Sequence, residues 1–278
     1  LAVAVSRTGF LDVTPVAGSA VTNAAGVYTI GGSGPDYATV ADAVADLLLK
    51  GVSDSVSMEI RDGSYDVSQV LYTVPGSAMD KPVVFRSASG NRDNVTLFHV
   101  AAAESDNYIF YLKGTDFIRF YDLSLTANNA DNASYARVLH LFGGVDHLHL
   151  KGCTLSGSNS TNNNASLFYA YQSVGTYRLI QDNQFNFGSY GIYQYGVNTS
   201  QPNRGAMITA NEFNNQRSYG GYFIHDYNLK LRGNTVNNAP NYGFYLQSCN
   251  EELEVTGNRL NGLGLGTGLL GDRHREGP

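Results

Sequence analysis

A pattern of apolar and polar positions, eight residues long, recurs along the chain from residue 117 onward. It reads apolar, any, apolar, two spacers, a column residue, any, apolar, as in IRFYDLSL (118–125) and LHLKGCTL (148–155). Further copies are RLIQDNQF (178–185), AMITANEF (206–213), LKLRGNTV (229–236) and LEVTGNRL (253–260). Period-2 alternation in short runs is typical of β-strands. The copies therefore predict strands that recur at unequal intervals, from 30 residues (Leu123 to Cys153) down to 23 (Asn211 to Asn234).

A second apolar run lies between consecutive copies, as in YIFYLKG (108–114), SLFYAYQ (166–172) and GFYLQSC (243–249). Each period is therefore predicted to hold two short strands and two turns. The turns are rich in Asn, Ser and Gly, which tolerate tight or left-handed backbone. A solenoid permits unequal periods because each coil contacts only its neighbours. The pattern favours a parallel β-helix over a β-sandwich, the rival all-β fold, because a sandwich does not predict two interleaved repeats.

The N-terminal region shows the periodicity of an amphipathic helix. In DYATVADAVADLLLKG, apolar residues recur at i, i+3, i+4, i+7 spacing from Tyr37 to Leu48. Thr39 is a candidate N-cap with Asp42 three residues later, and Lys50 followed by Gly51 indicates the C-terminal end. We expect this capping helix, about residues 38–50, to cover the open apolar end of the solenoid and its unpaired edge.

These segments resemble a known group of proteins. YTIGGSGPDYATVADAVADLLLKG followed by VSMEIRDGSYDV is similar to the start of right-handed β-helix domains in large bacterial surface proteins, which resemble the pectate-lyase-like superfamily. The GNTV and GNRL turns, and more loosely DNQF and ANEF, resemble the coil signature of the same group. The resemblance implies an all-β fold, a right-handed parallel β-helix solenoid with an N-terminal amphipathic capping helix. It does not fix a function, because that superfamily includes lyases, hydrolases, epimerases, esterases, adhesins and proteins of no known activity.

The predicted organisation is an N-terminal extension (1–26), one β-helix domain (27–263) and an irregular tail (264–278). The opening LAVAVSRTGF is either a processed terminus or an arbitrary boundary. The closing LGLGTGLLGDRHREGP begins like another coil and then loses its pattern, which indicates truncation or an irregular end. An uncapped apolar end would favour self-association through that end.

Composition and charge mainly exclude classes of function. Charged residues make up 15% of the chain and the formal net charge is −6, whereas nucleic-acid binding calls for a basic stripe. No run of about 18 apolar residues exists, so no membrane span is expected. Cys153 and Cys249 are about three rungs apart in the predicted solenoid. At ~4.8 Å per rung this is roughly 14 Å, beyond the ~7 Å Cα limit for a disulfide, so both thiols are expected to stay reduced.

Strand alternation predicts one surface rich in aromatic side chains. If Phe110, Leu139 and their equivalents point inward, the next residue in each coil points outward, and so does the residue two positions further on. The resulting ligand-binding candidates are Tyr111, His140, Tyr169, Tyr171, Tyr193, Tyr195, Phe223 and Tyr245, and the second column also holds Lys113, Phe142, His225 and Gln247. A register slip of one residue at Gly221 would exchange Phe223 for Tyr222.

An exposed aromatic surface of this size is typical of a binding site. Rings repeated at ~4.8 Å suit the apolar faces of successive sugars, and tyrosine hydroxyls suit sugar hydroxyls. The alternative is that the rings stack on one another along the solenoid without any ligand.

A separate column of asparagines falls at one turn of consecutive coils and is expected to form a structural ladder. Its members are Asn183, Asn211, Asn234 and Asn258.

Catalytic chemistry has few candidates. A lyase on this fold needs a base and cations to neutralise a uronate, and a hydrolase needs two carboxylates at a defined separation. Most acids of the repeat region sit singly on different coils, so the best pair is His225 with Asp226. It lies in YGGYFIHD (219–226), which resembles the alginate epimerase signature but lacks its internal Asp-Pro. Metal binding has one weak candidate set, because two histidines share one strand face without a third convergent ligand. That set is Asp146, His147 and His149.

The sequence therefore favours a secreted or cell-surface module that binds polysaccharide along the Tyr-rich sheet, without catalysis or a cofactor. The first alternative is a polysaccharide lyase, epimerase or hydrolase of the pectate-lyase-like superfamily, with Ca²⁺ as candidate cofactor if it is a lyase. The second alternative is a structural or adhesive stalk with no small ligand. A glycan is the expected partner, and neither nucleic acid nor a membrane span is expected.

Overall fold

The computed structural model describes residues 23–128, 130–131 and 133–262, together with the backbone of three short strands at 4–5, 11–12 and 269–271. Three parallel sheets account for most of the regular structure, and successive strands of the chain visit them in turn. Each sheet grows by one strand per coil, so consecutive coils stack in register. The predicted all-β fold, a right-handed parallel β-helix, is confirmed.

The three sheets run the length of the solenoid. Sheet 1 consists of Ala24–Ile30, Val52–Ile60, Val83–Ser87, Ile118–Tyr121, His149–Lys151, Leu179–Gln181, Met207–Thr209, Lys230–Arg232 and Glu254–Thr256. Sheet 2 consists of Gly63–Asp66, Val95–His99, Ser124–Ala127, Thr154–Ser156, Gln184–Asn186, Glu212–Asn214, Thr235–Asn237 and Arg259–Asn261. Sheet 3 consists of Gln69–Leu71, Phe110–Lys113, Leu139–Phe142, Phe168–Tyr171, Tyr190–Tyr195, Tyr219–Ile224, Tyr242–Gln247 and Leu269–Gly271.

The described residues also form shorter elements outside the three sheets. Two short pairs are antiparallel Ala4–Val5 with Leu11–Asp12 and parallel Asn203–Arg204 with Asp226–Tyr227. The 3₁₀ helices are Arg92–Asn94, Glu104–Asp106 and Asn163–Ala165.

Each coil contains three strands, so the prediction of two strands per period is wrong. The eight-residue motif spans a corner, and IRFYDLSL folds as Ile118–Tyr121 in sheet 1 and Ser124–Ala127 in sheet 2. Asp122 turns the chain between them with left-handed backbone at φ 53°. Leu123 follows and points into the core. The alternation breaks there, because Tyr121 and Asp122 both lie outside the core before Leu123 returns to it. A break of two residues is too short to separate two strands in the sequence, so they resembled one.

The N-terminal helix, Val40–Lys50, is the predicted capping helix. Thr39 and Asp42 form a full capping box, in which the Thr39 side chain accepts from the Asp42 amide and the Asp42 carboxylate accepts from the Thr39 amide, each at 3.1 Å. Its buried residues are Val40, Ala43, Val44 and Leu47, and they belong to the same core as the coils. The helix thereby covers apolar side chains at the start of the solenoid.

Several predictions about the ends of the chain lie outside the described residues, including most of the extension 1–26, the tail 264–278 and self-association through the C-terminal end. Sheet 3 does continue to Leu269–Gly271, which pairs with Tyr242–Gln247. Within the described part of the chain, no helix has the length and apolar character needed to cross a membrane. No disulfide joins Cys153 and Cys249, both of which are described, and burial raises the pKa of Cys153 to about 12.

Candidate functional site

The predicted asparagine column forms a continuous hydrogen-bonded ladder at the corner between sheets 1 and 2. Asn211 Oδ1 accepts from both the backbone amide and the side-chain Nδ2 of Asn183, each at 3.0 Å. The same Nδ2 donates to the carbonyl of Leu150 at 2.9 Å. This arrangement repeats one coil on for each later member, through Asn234 to Asn258. Each amide therefore satisfies buried backbone groups of its neighbours, which is a structural task.

The outer face of sheet 3 carries a row of rings stacked coil upon coil, here called the inner ladder. It consists of Tyr111, His140, Tyr169, Tyr193, Tyr222 and Tyr245. Neighbouring ring centroids lie between 4.2 Å (Tyr111 and His140) and 5.3 Å (Tyr169 and Tyr193). Most pairs are nearly parallel, with interplanar angles of 9° on both sides of Tyr222. Stacking along the solenoid covers the ring faces, so the inner ladder presents ring edges and hydroxyl groups outward.

The assignment of Phe223 to this surface is wrong. Tyr222 pairs in register with Tyr193 and Tyr245 and joins the inner ladder, whereas Phe223 is fully buried. The cause is Gly221, which occupies an inward position without a side chain. A Cβ at Gly221 would lie 2.5 Å from the Phe223 ring, so the absent side chain makes the space that this ring fills.

A further row of tyrosines lies beside the inner ladder and was not anticipated from the sequence. This side ladder consists of Tyr190, Tyr219 and Tyr242, with ring centroids 5.2 and 5.7 Å apart. Tyr190 meets Tyr193 of the inner ladder edge-to-face at 5.1 Å. The available sequence signal was a repeated Tyr-Gly pair, in YGIY (190–193), YGGY (219–222) and YGFY (242–245). The two ladders together form a herringbone, an arrangement that ring quadrupoles favour.

Burial keeps the groups of this face neutral. Burial raises the pKa of the Tyr190 and Tyr222 hydroxyls to about 12, with neighbouring tyrosines as a smaller cause. Burial, and secondarily the positive charge of Arg137, lowers the pKa of His140 to about 3. The Arg137 guanidinium lies 3.8 Å from the Tyr169 ring centroid, so a cation contacts the ladder near its middle. At neutral pH the exposed hydroxyls are therefore both donors and acceptors.

The exposed rings of sheet 3 lie in the next column along the strands, here called the outer column. It contains Tyr72, Lys113, Phe142, Tyr171, Tyr195, Ile224 and Gln247. Tyr72 and Phe142 are each 51% exposed and Tyr171 is 42% exposed. Lys113 Nζ lies 5.8 Å from the Tyr72 ring centroid. His225 was expected in this column, but the slip at Gly221 places Ile224 there instead.

His225 and Asp226 do not form the catalytic pair that the sequence suggested. The His225 ring packs edge-to-face against Tyr195 on the outside, at 5.6 Å. The Asp226 side chain is fully buried and accepts a hydrogen bond from Gln194 Nε2 inside the solenoid. His225 has left-handed backbone at φ 53° between the strands Tyr219–Ile224 and Asp226–Tyr227, so the chain turns between the two side chains. The structure therefore does not bring these two side chains together.

Asp226 instead belongs to a buried polar network. Arg178 NH1 donates to Gln194 Oε1 at 3.0 Å and to Asn203 Oδ1 at 3.1 Å, and its NH2 donates to Ser173 Oγ at 3.1 Å. Gln194 thus bridges the two buried charges. Burial raises the pKa of Asp226 to about 7 and lowers that of Arg178 to about 10.

The metal candidates are occupied by other interactions. Asp146 Oδ1 accepts from the Thr176 amide at 2.7 Å, and the His147 ring packs between Phe117 and Tyr177 at 4.9 and 5.2 Å. His149 Nδ1 lies 3.2 Å from the Tyr121 hydroxyl. Nowhere in the described ranges do three or more His, Cys, Asp or Glu side chains converge to hold a metal ion. Asp146, His147 and His149 thus do not form a metal centre.

Comparison with known proteins agrees with this architecture. Residues 141–272 match a family described as the right handed beta helix region. Similar solved structures include a pectin methylesterase from Aspergillus niger, with TM-score 0.45 and 14% identity over 90% of this chain and 87% of that chain. A pectin methylesterase from Erwinia chrysanthemi gives 0.41 and 10% over 84% and 81%. A pectate lyase gives 0.41 and 12% over 89% and 82%. No curated protein matches the sequence.

Proposed function

We propose that this protein is a polysaccharide-binding β-helix module, secreted or held at the cell surface, which holds its ligand along the outer face of sheet 3. The observation that carries the proposal is the outer column, where Tyr72, Phe142 and Tyr171 expose aromatic surface. The adjacent part of the inner ladder, Tyr111, His140 and Tyr169, supplies two hydroxyls and one imidazole. An exposed aromatic group beside fixed hydrogen-bonding groups suits a sugar, which has apolar C–H faces and polar edges.

The inner ladder and the outer column would contact a sugar in different ways. Inner-ladder rings cover one another and so offer little stacking surface to a ligand. Phe142 makes no ring contact with the other described residues, and it lies one coil from Tyr171 and two coils from Tyr72. At ~4.8 Å per coil, the three exposed rings span roughly 14 Å along the solenoid axis. An extended polysaccharide lying parallel to that axis can contact all of them.

Lys113 lies in the outer column between Tyr72 and Phe142. Its ammonium sits 5.8 Å from the Tyr72 ring and 5.5 Å from the Tyr111 ring, and it takes part in no ion pair with the other described residues. An ammonium with free donors binds hydroxyl or carboxylate oxygens of a sugar. This end of the surface therefore accommodates an acidic sugar, and the Tyr171 end a neutral one.

The proposal is tested by removing the two adjacent exposed rings. In affinity electrophoresis through gels containing polygalacturonate, alginate, xylan or glucomannan, we expect the wild-type chain to be retarded by at least one polymer. The Phe142→Ala, Tyr171→Ala double variant should bind that polymer about tenfold or more weakly, since each lost stacking contact contributes on the order of 1 kcal/mol. Its unfolding temperature should fall only modestly, because Phe142 is 51% exposed and the loss at Tyr171 is confined to its partly exposed ring contacts with Tyr169, Tyr193 and Tyr195.

Met207→Ala is the matched control, since Met207 is 39% exposed on the outer face of sheet 1. It should bind as the wild type does. Equal retardation of the double variant and the wild type would refute the assignment of the site.

A structural role with no small ligand is the second candidate function. The observation that favours it is the inner ladder, in which Tyr222 stacks on both neighbours at 5.1 and 4.7 Å. Such stacking stabilises a solenoid without any ligand. Failure of the wild-type chain to bind any of the four polymers, combined with a large loss of stability in Tyr222→Ala, would favour this role.

A further inference from the structure

The corner where sheet 2 ends carries one aromatic residue in a position built for asparagine or glycine. After Asn186, Asn214, Asn237 and Asn261, the chain turns on a single residue with left-handed backbone. These corner residues are Phe187 (φ 62°), Asn215 (φ 61°), Asn238 (φ 61°) and Gly262 (φ 58°). Asn and Gly tolerate this conformation, whereas a bulky residue pays roughly 1 kcal/mol or more for it. Phe187 is thus the strained member of an otherwise relaxed column.

Packing does not explain Phe187. Its side chain is 42% exposed, and it makes no ring contact with the other described residues. Its backbone is held firmly, since its amide donates to the Asn214 carbonyl at 2.8 Å and its carbonyl accepts from Gln216 Nε2 at 3.1 Å. The ring is therefore held partly exposed at a rigid corner, at a cost in backbone energy.

Grooves lie on both sides of the Phe187 ring. One, of about 310 Å³, is lined by residues including Thr126, Asp131, Ser156 and Asn159. The other, of about 400 Å³, is lined by residues including Asn159, Asn215, Arg217 and Asn238. Phe187 and Asn159 line both grooves, so the two grooves adjoin at these residues. Together they are called the corner trough. From Thr126 to Asn238 the trough crosses four rungs, roughly 19 Å at ~4.8 Å per rung.

The lining matches a neutral sugar chain better than any charged ligand. Hydroxyls and amides supply most of its polar groups, and its two charged residues, Asp131 and Arg217, lie in opposite halves. Gln216, which is 1% exposed, also lines the second groove. Its Nε2 shares its two hydrogens among three nearby backbone carbonyls, while its buried Oε1 has no partner among the described residues. A buried acceptor without a partner is unusual in a folded protein.

We propose that this corner trough is a second carbohydrate site, which binds a neutral oligosaccharide with one sugar stacked on Phe187 and its hydroxyls bonded by the flanking amides. It is separate from the outer column, which lies at the other end of the sheet 3 strands. It does not depend on the outer column binding any ligand.

The test uses the substitution that the neighbouring coils already carry. Phe187→Asn places at this corner the residue found in the next two coils, so it relieves strain and should leave the unfolding temperature unchanged or raise it. Calorimetric titration of the whole chain with cellohexaose, xylohexaose, mannohexaose and chitohexaose should show binding of at least one of them. Phe187→Asn should weaken that binding about tenfold or more, while Phe142→Ala, Tyr171→Ala should leave it unchanged.

Three outcomes would overturn the proposal. The first is that no hexasaccharide binds the wild-type chain at millimolar concentration. The second is that Phe187→Asn binds as tightly as the wild type. The third is that both variants lose binding equally, which would mean that the trough and the outer column are not independent sites. If only the Phe142→Ala, Tyr171→Ala variant loses polymer binding, the proposal for the corner trough is unaffected. The two proposals can therefore be refuted independently.

Discussion

At the scale of single residues, the least expected feature is a pair of buried charges inside the solenoid. Arg178 stands at an inward position where the adjacent coils carry Leu148 and Ala206. Gln194 joins it to Asp226, 48 residues away in the sequence. No sequence pattern could reveal this network, because each member alone resembles an ordinary surface residue and only the stacking of coils brings them together. Burial without full pairing is costly, so the pair is a sensitive point of the fold.

The Asp226 carboxyl should make stability depend on pH. Burial raises its pKa from 3.8 to about 7, so the folded chain holds this proton more tightly than the unfolded chain. The free energy of unfolding should therefore fall as pH rises from about 4 to about 7, by up to roughly 4 kcal/mol at 1.36 kcal/mol per pKa unit. Urea unfolding at pH 4, 5, 6, 7 and 8 measures this slope.

Asp226→Asn isolates this effect, because it keeps an acceptor for Gln194 and removes the titration. Asp46 and Asp106 have lowered pKa values, from hydrogen bonds to Lys50 and Tyr37 and to backbone amides, and they contribute a slope of opposite sign at lower pH. Subtracting the variant from the wild type at each pH removes their contribution. A difference that stays constant from pH 4 to pH 8 would show that Asp226 does not titrate in this range.

At the scale of elements, the asparagine ladder between sheets 1 and 2 shows what a repeat pattern can and cannot predict. Asn183 and Asn211 occupy the same motif position, so their alignment follows from the period alone. The number of sheets did not follow, because Asp122 and its equivalents bend the chain at a break of only two residues, which resembles a spacer within one strand. The choice between Tyr222 and Phe223 was also open to sequence reasoning, and only packing of the Phe223 ring into the space at Gly221 decides it.

The buried asparagine ladder at the corner between sheets 1 and 2 should be far less tolerant of substitution than an exposed amide ladder. Asn211→Leu would leave the Asn183 amide and Nδ2 without their acceptor and the Ile180 carbonyl without its 2.9 Å donor. Because buried unsatisfied groups cost about 1–3 kcal/mol each, we expect a loss of roughly 3 kcal/mol or more, measured by urea unfolding.

Asn237→Leu is the matched control for this variant. Asn237 belongs to a similar amide ladder on the outer face of sheet 2, where its Nδ2 donates to Asn214 Oδ1 at 2.8 Å within reach of water. Water replaces the lost partners there, so the cost should stay below about 1 kcal/mol. Equal destabilisation by the two variants would contradict a special role for the buried asparagine ladder.

At the scale of the whole molecule, the N-terminal helix should protect the coils in order of their distance from it. Leu47 is 1% exposed and packs into the core at the start of the solenoid, whereas Leu49 of the same helix is 69% exposed. Leu47→Ser should cost about 2–4 kcal/mol locally, because it removes a buried apolar side chain and leaves a hydroxyl in its place. In a solenoid each coil contacts only its neighbours, so the damage should decay along the axis.

Hydrogen exchange resolves this gradient directly. In Leu47→Ser, amides of Val52–Ile60 and Val83–Ser87 should lose protection first, while those of Lys230–Arg232 should exchange as in the wild type. Leu49→Ser introduces the same serine into the same helix and should leave every coil protected. A uniform loss of protection from the first described coil to the last would instead mean that these coils unfold as one cooperative unit, and that the helix stabilises all of them equally.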